Sequence, residues 1–433
     1  MKFLDELAAR RRFGMKPGLE TIRSLCAAIG DPQLKFKAIH VAGTNGKGAV
    51  CAILDAALRA ASRIRDEGSG MRDERLRIGR YTSPHLVKLN ERFFLDGVPV
   101  DDMTLERVAE KVSKALIPHP SSRIPEVTFF EALTAVAFEL YAEAGVDYAI
   151  LECGLGGRLD ATNVCDPALS VIMRIGLDHC DWLGDTLEKI AAEKAGIVKA
   201  GVPVVLGRNE PEVIDVIRRR AAEVGAPFHY APDLADESEI PADFSLPGAF
   251  NRENAITAIA SLKVLAAKGA QRGAKGFLVG FGNVIWPGRF QKAGNFIVDG
   301  AHNPPAAKAL VSALAVDAAS SSRHSFNLIF GACGDKDVGE VLSILAPIVK
   351  KGYAVRTNNP RSLSAEETAA KMRTAGIDAV SCDSLRSAIE QSNNPNIRTL
   401  ICGSLFLAGE ALVELDAYPW GSARFDLSEK LRA

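Results

Sequence analysis

Lys47 stands between Gly46 and Gly48, with Gly43 and Asn45 just ahead of it. Glycines let backbone come close to an anion, and a lysine adds a point charge, so this cluster suits phosphate binding. The strict pattern G-x-x-x-x-G-K-[ST] is not met. Val41 holds the place of the first glycine, and Gly48-Ala49 follows the lysine where a hydroxyl is expected. Further on, Ser83, then Glu152 with Gly154, Gly156 and Gly157, then Asp178 with His179 each close an apolar run. A carboxylate, an imidazole and a hydroxyl near phosphates can hold a divalent cation, with water and phosphate oxygens completing its shell. Each piece alone has a plainer reading: a glycine-rich turn, a packed or surface histidine, a serine that starts a turn at Pro84. Gly154-x-Gly156 is not a dinucleotide fingerprint, because Leu159 takes the place of the third glycine.

These residues need elements to hold them. Phe36–Ala42 is short, apolar and β-branched, as a buried parallel strand requires, and Ala49–Ala61 is rich in Ala and Leu at helical spacing. A strand turning through glycines into a helix aims several N–H groups and the positive end of a dipole at one spot. Tyr81–Leu86 reads as a strand end breaking at Pro84, and the spacing predicts helices over 102–116 and 129–144. Strands follow at 146–153, 168–176 and in VPVVLG, with a helix over 186–200 carrying Glu193 and Lys194. An acidic linker is expected over 231–247 and a helix over 252–268. The βα pattern then restarts with strands at 295–300, 327–333, 353–356 and 398–403. The expected architecture is α/β: a large, P-loop-type, doubly wound domain (residues 1–288), then a smaller Rossmann-like α/β domain (289–433). In such sheets ligands sit outside the C-terminal ends of the strands, where the polar residues above fall.

The 433 residues are 47% hydrophobic and 24% charged with a formal net charge of -1, which gives no electrostatic footprint for nucleic acid or an anionic membrane. The eight cysteines are scattered without a C-x-x-C pair, as reduced, buried, cytosolic thiols would be. No apolar run has the length of a signal peptide or membrane span, so a cytoplasmic, monomeric protein is expected. Residues 1–35 read as two short helices around Met15–Gly18, with Arg10–Arg12 at a solvated helix end, and 62–80 as an exposed, charged loop.

Together, His40–Gly48, Tyr81–Leu86, Leu151–Asn163, Leu177–His179, Glu193–Gly196, Pro287–Phe290, Asp299–Pro304 and Gly334–Asp337 resemble the folylpolyglutamate synthase and dihydrofolate synthase family of the Mur ligase superfamily. The resemblance implies an ATP-dependent ligase that adds L-glutamate to dihydropteroate, to folates or to both, through an acyl phosphate. It implies that Gly43, Asn45, Gly46, Lys47 and Gly48 cradle ATP, and that Ser83, Glu152 and His179 hold Mg²⁺. Lys194 is similar to the family's lysine that takes up carbon dioxide as a carbamate and helps bind a second metal. Asn254, Arg289 and Asp299 correspond to residues contacting base, phosphate and ribose, with Arg289 at the domain junction. Thr128, Phe129, Glu131 and Asp160 resemble the region that receives the pterin-bearing substrate. Lys47, Lys194, Arg289 and His302 form the expected catalytic set, although the residues themselves give His302 no derivable role.

Two departures stand out. Ala49 replaces the family's usual Ser or Thr, and residues 63–77 lengthen the link before Tyr81. A monofunctional folylpolyglutamate synthase and a cell-wall Mur ligase are the neighbouring alternatives. A regulatory nucleotide switch needs no second α/β domain, and a non-catalytic scaffold has no use for an intact Lys47, Ser83, Glu152 and His179.

Overall fold

The computed structural model describes residues 18–62, 76–115, 127–267, 274–317, 326–334 and 338–421. The expected first helix with Arg10–Arg12, most of the 62–80 loop, and Asp335–Asp337 lie outside the described residues. The chain forms two compact units: Met1–His85, Leu89–Ser245 and Asn251–Val284 make the first, and Leu86–Lys88, Leu246–Phe250 and Ile285–Ala433 the second.

The first unit is built on eight strands: β1 (Lys37–Ala42), β2 (Ile78–Tyr81), β3 (Phe93–Leu95), β4 (Val98–Pro99), β5 (Tyr148–Glu152), β6 (Pro167–Ile172), β7 (Val204–Leu206) and β8 (Phe228–Tyr230). Their order is β4-β3-β2-β5-β1-β6-β7-β8. From β2 to β8 all neighbours are parallel, while β3 and β4 extend the edge as an antiparallel hairpin. A central parallel strand is covered on both faces and therefore reads as a largely apolar run, as β1 and β5 do, with His40 the polar exception inside β1. Both are buried along nearly their whole length.

The helix Lys47–Ala61 follows β1 directly, and its body is buried almost all round by Val50, Ile53, Leu54 and the small alanines between them. Helix Phe129–Ala144 matches its expected span and opens with a capping box, in which Thr128 and Glu131 satisfy each other's backbone N–H groups.

Several expectations are corrected. The strand over 168–176 ends at Ile172, and residues 173–179 leave the sheet as a loop. The helix over 186–200 spans only Leu187–Ala195, started by the Thr186 side chain and stopped at Gly196. The acidic stretch 231–247 is no linker, since it holds the helix Ala231–Leu234 and the 3-10 turn Glu237–Glu239. Lys263 ties it down, donating to Leu234 O at 2.7 Å and to Glu239 at 2.8 Å, and Ile240 is buried. Several elements were missed, and two of them carried a signal. The β3–β4 hairpin turns on Asp96-Gly97, both at positive φ, a recognised hairpin dipeptide. The helix Pro211–Val224 has Pro in its first turn and buries Val213, Ile217 and Ala221 at helical spacing.

The second unit carries β9 (Gln291–Ala293), β10 (Phe296–Val298), β11 (Phe326–Phe330), β12 (Val349–Ala354), β13 (Ala379–Ser381) and β14 (Thr399–Cys402), ordered β13-β12-β11-β14-β10-β9. Only β9 runs antiparallel to its neighbour. The expected strand 353–356 is thus the tail of a strand that starts at Val349. Along β11, Leu328 and Phe330 enter one apolar cluster and Ile329 the other, so both faces of this sheet are covered.

Candidate active site

At the end of β1 the chain turns through Gly43–Gly46 into the helix Lys47–Ala61. The turn requires its glycines. Gly43 has φ 148 and a Cβ there would lie 2.6 Å from Met173 Cβ, while Gly46 has φ 86 and a Cβ there would lie 2.3 Å from Asn254 Oδ1. Gly46 is the helix N-cap and no side chain caps it, which leaves the first-turn N–H groups for an anion. The N–H groups of Thr44 and Asn45 face elsewhere, both bonding to Arg174 O at 3.0 and 3.4 Å. Asn254 is buried and hydrogen-bonded to Asn251 at 3.2 Å, so the residue expected near the base packs on the phosphate turn itself.

Lys47 Nζ folds back to donate to Gly43 O at 3.1 Å and Thr44 O at 3.2 Å. Lys194 reaches the same turn from helix Leu187–Ala195. Lys194 is only 3% exposed, so it is no surface lysine, and its Nζ donates to Gly43 O at 2.8 Å. Burial, and next the charge of Lys47, lower its pKa from 10.5 to about 8. Lys47, Lys194, Thr44, Gly154, Asp178 and His179 line one open pocket.

His179 sits on the loop beyond β6, at φ 50 and about half exposed, with its N–H on Asp178 Oδ1 at 3.0 Å. Glu152 ends β5 and is 4% exposed, and Ser83 N–H donates to its Oε2 at 2.9 Å. The structure thus joins Ser83 to Glu152, and joins His179 to the two lysines.

A divalent cation fits this donor set. Carboxylate, hydroxyl and imidazole are donor types that suit Mg²⁺ or Mn²⁺. Among the described residues no three of His, Cys, Asp and Glu gather into a metal cluster. Magnesium commonly takes few protein ligands and keeps water and substrate phosphate around it.

Behind the pocket, Asp160 caps the turn Ala161–Val164, accepting from Thr162 N at 3.0 Å and Leu155 N at 2.9 Å. Burial raises its pKa, with the Thr162 hydroxyl acting in the opposite direction. The chain continues inward, with Thr162 Oγ1 2.8 Å from His40 Nε2 and Cys153 Sγ 3.1 Å from the same nitrogen. Burial pushes the pKa of His40 down to about 3, so this imidazole is neutral. Thr128 and Glu131 form the helix cap already described, and Phe129 is buried with Arg92 5.8 Å from its ring.

In the second unit, Arg289, Asp299 and His302 converge on Gly300. A Cβ at Gly300 would lie 2.3 Å from Arg289 Nη1, and His302 Nδ1 donates to Gly300 O at 2.8 Å. Asp299 accepts from Phe290 N at 2.7 Å and from Ala301 N at 2.8 Å. Burial raises its pKa, while Arg289 and these N–H groups pull it back. Asn303 caps the helix Pro304–Asp317 through Ala306 N at 2.9 Å. Sequence reasoning overlooked Thr44 and Asn209, whose side chains stitch the loop ahead of His179. The signal for Thr44 lay inside the glycine motif itself.

Comparison with known proteins shows the family. Residues 288–405 match the Mur ligase, glutamate ligase domain family. The dihydrofolate synthase/folylpolyglutamate synthase of Bacillus subtilis is 32% identical over 426 residues, covering 93% of this chain and 95% of the relative. A crystal structure of Mycobacterium tuberculosis folylpolyglutamate synthase with ADP and AMPPCP superposes with a TM-score of 0.83 at 30% identity, covering 96% of this chain and 99% of that one. The Yersinia pestis bifunctional enzyme with AMPPNP and Mn ion gives 0.79 at 29% identity, covering 96% and 97%. The chain belongs to the folylpolyglutamate synthase/dihydrofolate synthase family of the Mur ligase superfamily.

Proposed function

We propose that this protein is an ATP- and Mg²⁺-dependent ligase that adds L-glutamate both to dihydropteroate and to reduced folates, working as a monomer in the cytoplasm. The observation that carries this reading is the pocket where Lys47, Lys194 and His179 face an uncapped helix N-terminus. Residues 1–288 serve as the ATP-binding half and 289–433 as the glutamate-ligase half.

A carboxylate cannot lose oxide, so it must first be activated. Transfer of the γ-phosphoryl group to the acceptor carboxylate gives an acyl phosphate, which the glutamate amine then attacks. Little covalent work falls to the protein, and alignment of two mutually repelling anions accounts for most of the catalysis. The turn Gly43–Gly48 and Lys47 hold the phosphates, and Asn254, Arg289 and Asp299 serve the rest of the nucleotide. Ser83, Glu152 and His179 hold Mg²⁺, which when bound neutralises charge on the phosphates and acceptor. Lys194 is suited to carbamate formation, since an amine with a pKa of about 8 is partly neutral near pH 7.5. As a carbamate it would supply an oxygen to a second metal. Thr128, Phe129, Glu131 and Asp160 border the acceptor, and His302 accompanies Arg289.

The test supplies ATP, Mg²⁺ and labelled glutamate with dihydropteroate or tetrahydrofolate. Mass gain on both acceptors is expected, and gain on tetrahydrofolate alone would mean a monofunctional folylpolyglutamate synthase. Lys47→Ala and Glu152→Ala should stop the reaction in folded protein. Near-normal turnover in either would refute the site assignment.

A further inference from the structure

We infer that Thr44 is a positioning residue for His179, coupling the phosphate turn to the metal-binding loop; this rests on the proposed nucleotide–metal reading of the pocket. Strand β6 ends at Ile172, and His179 lies beyond it on a loop. Backbone bonds to the β1 side persist through Met173 N to Ala42 O at 2.8 Å and Thr44 N to Arg174 O at 3.0 Å, and side chains hold Ile175 and Gly176. On one flank Asn209 accepts from Ile175 N at 2.8 Å and donates to Met173 O at 3.3 Å. On the other flank the Thr44 hydroxyl bonds twice to one residue, accepting from Gly176 N at 3.0 Å and donating to Gly176 O at 3.1 Å.

Gly176 is also the last anchored point before the site. Among the described residues, no hydrogen bond ties Leu177, Asp178 or His179 to the rest of the unit; their bonds are local to the turn. Leu177 is 60% exposed, so packing does not fix this stretch either. On its N-terminal side the place of His179 is therefore set by where Gly176 is held, and Thr44 holds it, while Leu183 packs on the core from the other side. The single hydroxyl proton is committed to Gly176 O, so Thr44 does not donate to phosphate while this arrangement stands. Its task is to make the turn that binds phosphates and the loop that carries the imidazole move together.

The experiment measures binding of a non-hydrolysable ATP analogue to the full chain by calorimetry, without metal and across a Mn²⁺ titration. Wild type, Thr44→Ser, Thr44→Val and Thr44→Ala are compared. Loss of an outer hydrogen bond to a ligand-bearing segment typically weakens metal binding by about 10–100-fold. Val and Ala should accordingly raise the Mn²⁺ needed for half-saturation by about ten-fold, with a clearly smaller loss of metal-free analogue affinity, and Ser should restore wild-type behaviour. Unchanged Mn²⁺ dependence in Val and Ala would overturn the inference, as would equal losses with and without metal. Failure of both variants to fold would overturn it too, by showing that the hydroxyl supports the whole unit. Wild type lacking any Mn²⁺ effect would instead remove the nucleotide–metal reading on which it rests.

Discussion

The ammonium groups of Lys47 and Lys194 meet on one acceptor, the Gly43 carbonyl, at 3.1 and 2.8 Å. Two like charges crowded inside a fold are costly until an anion arrives. ATP phosphates would relieve that repulsion, and the relief would contribute to the free energy of nucleotide binding.

The first prediction concerns Lys194 and stability. Its pKa is about 8 in the folded chain against an ordinary 10.5. Below pH 8 both states are protonated, and the folded state carries the full penalty of a buried charge. Between pH 8 and 10.5 the unfolded chain binds more protons, so stability rises with pH across that window. Lys194→Met should therefore stabilise the ligand-free protein at pH 7 by about 1–3 kcal/mol while abolishing activity. Urea unfolding at pH 7 and pH 10 checks this, and an equal gain at both would count against the shifted lysine.

Ala49 gives the second. It occupies the first turn of helix Lys47–Ala61 and is 6% exposed. A hydroxyl there would add a donor toward the phosphates, and hydrogen bonds to charged groups contribute about 1.5–3 kcal/mol. Ala49→Ser should lower the Kd for an ATP analogue by about ten-fold or more in calorimetry. An unchanged Kd would mean that this position does not face the phosphates.

A third follows from Asp299. Each carboxylate oxygen holds one backbone N–H, and Phe290, whose N–H is one of them, stands at φ 50, an uncommon conformation for an aromatic residue. Asp299→Asn offers one oxygen and opposes an N–H with an NH₂. The variant should lose about 2 kcal/mol. Amide exchange at Phe290 or Ala301 should quicken, and unaltered exchange at both would contradict the bonding described.

Thr128 separates two roles. As the N-cap of helix Phe129–Ala144 it should contribute about 1 kcal/mol, lost in Thr128→Ala and kept in Thr128→Ser. If it also borders the acceptor, the Ala variant will raise KM for dihydropteroate and Ser will restore it. Lost stability with unchanged KM would leave the cap as its only task.

Much of this architecture is legible in the residues because buried parallel strands declare themselves. β1, β5 and β11 are largely apolar runs, interrupted by His40 in β1 and Asn327 in β11, and Phe129–Ala144 carries its own start signal in Thr128 and Glu131. The loop beyond Ile172 was not legible. Met173 and Ile175 are as apolar as strand residues, and the long-range side-chain bonds from Thr44 and Asn209 that take over at Ile175 and Gly176 leave no local sequence signal. Lys194 was half-legible: its motif was plain, but its burial depends on the turn at Gly43, 151 residues away in sequence. The stretch 231–247 misled through composition, since its acidic residues face solvent while Ile240 packs inward.

The strand order has a consequence for biosynthesis. β1 lies between β5 and β6, so the tip bearing Lys47 acquires its flanking neighbours only after more than a hundred further residues have been made. Neighbouring strands sit about 4.8 Å apart, and such distant pairings close slowly. A nascent chain therefore owns its phosphate turn long before it owns a pocket. Nucleotide cannot serve as a template for early collapse, and competence to bind it arrives late, as one event.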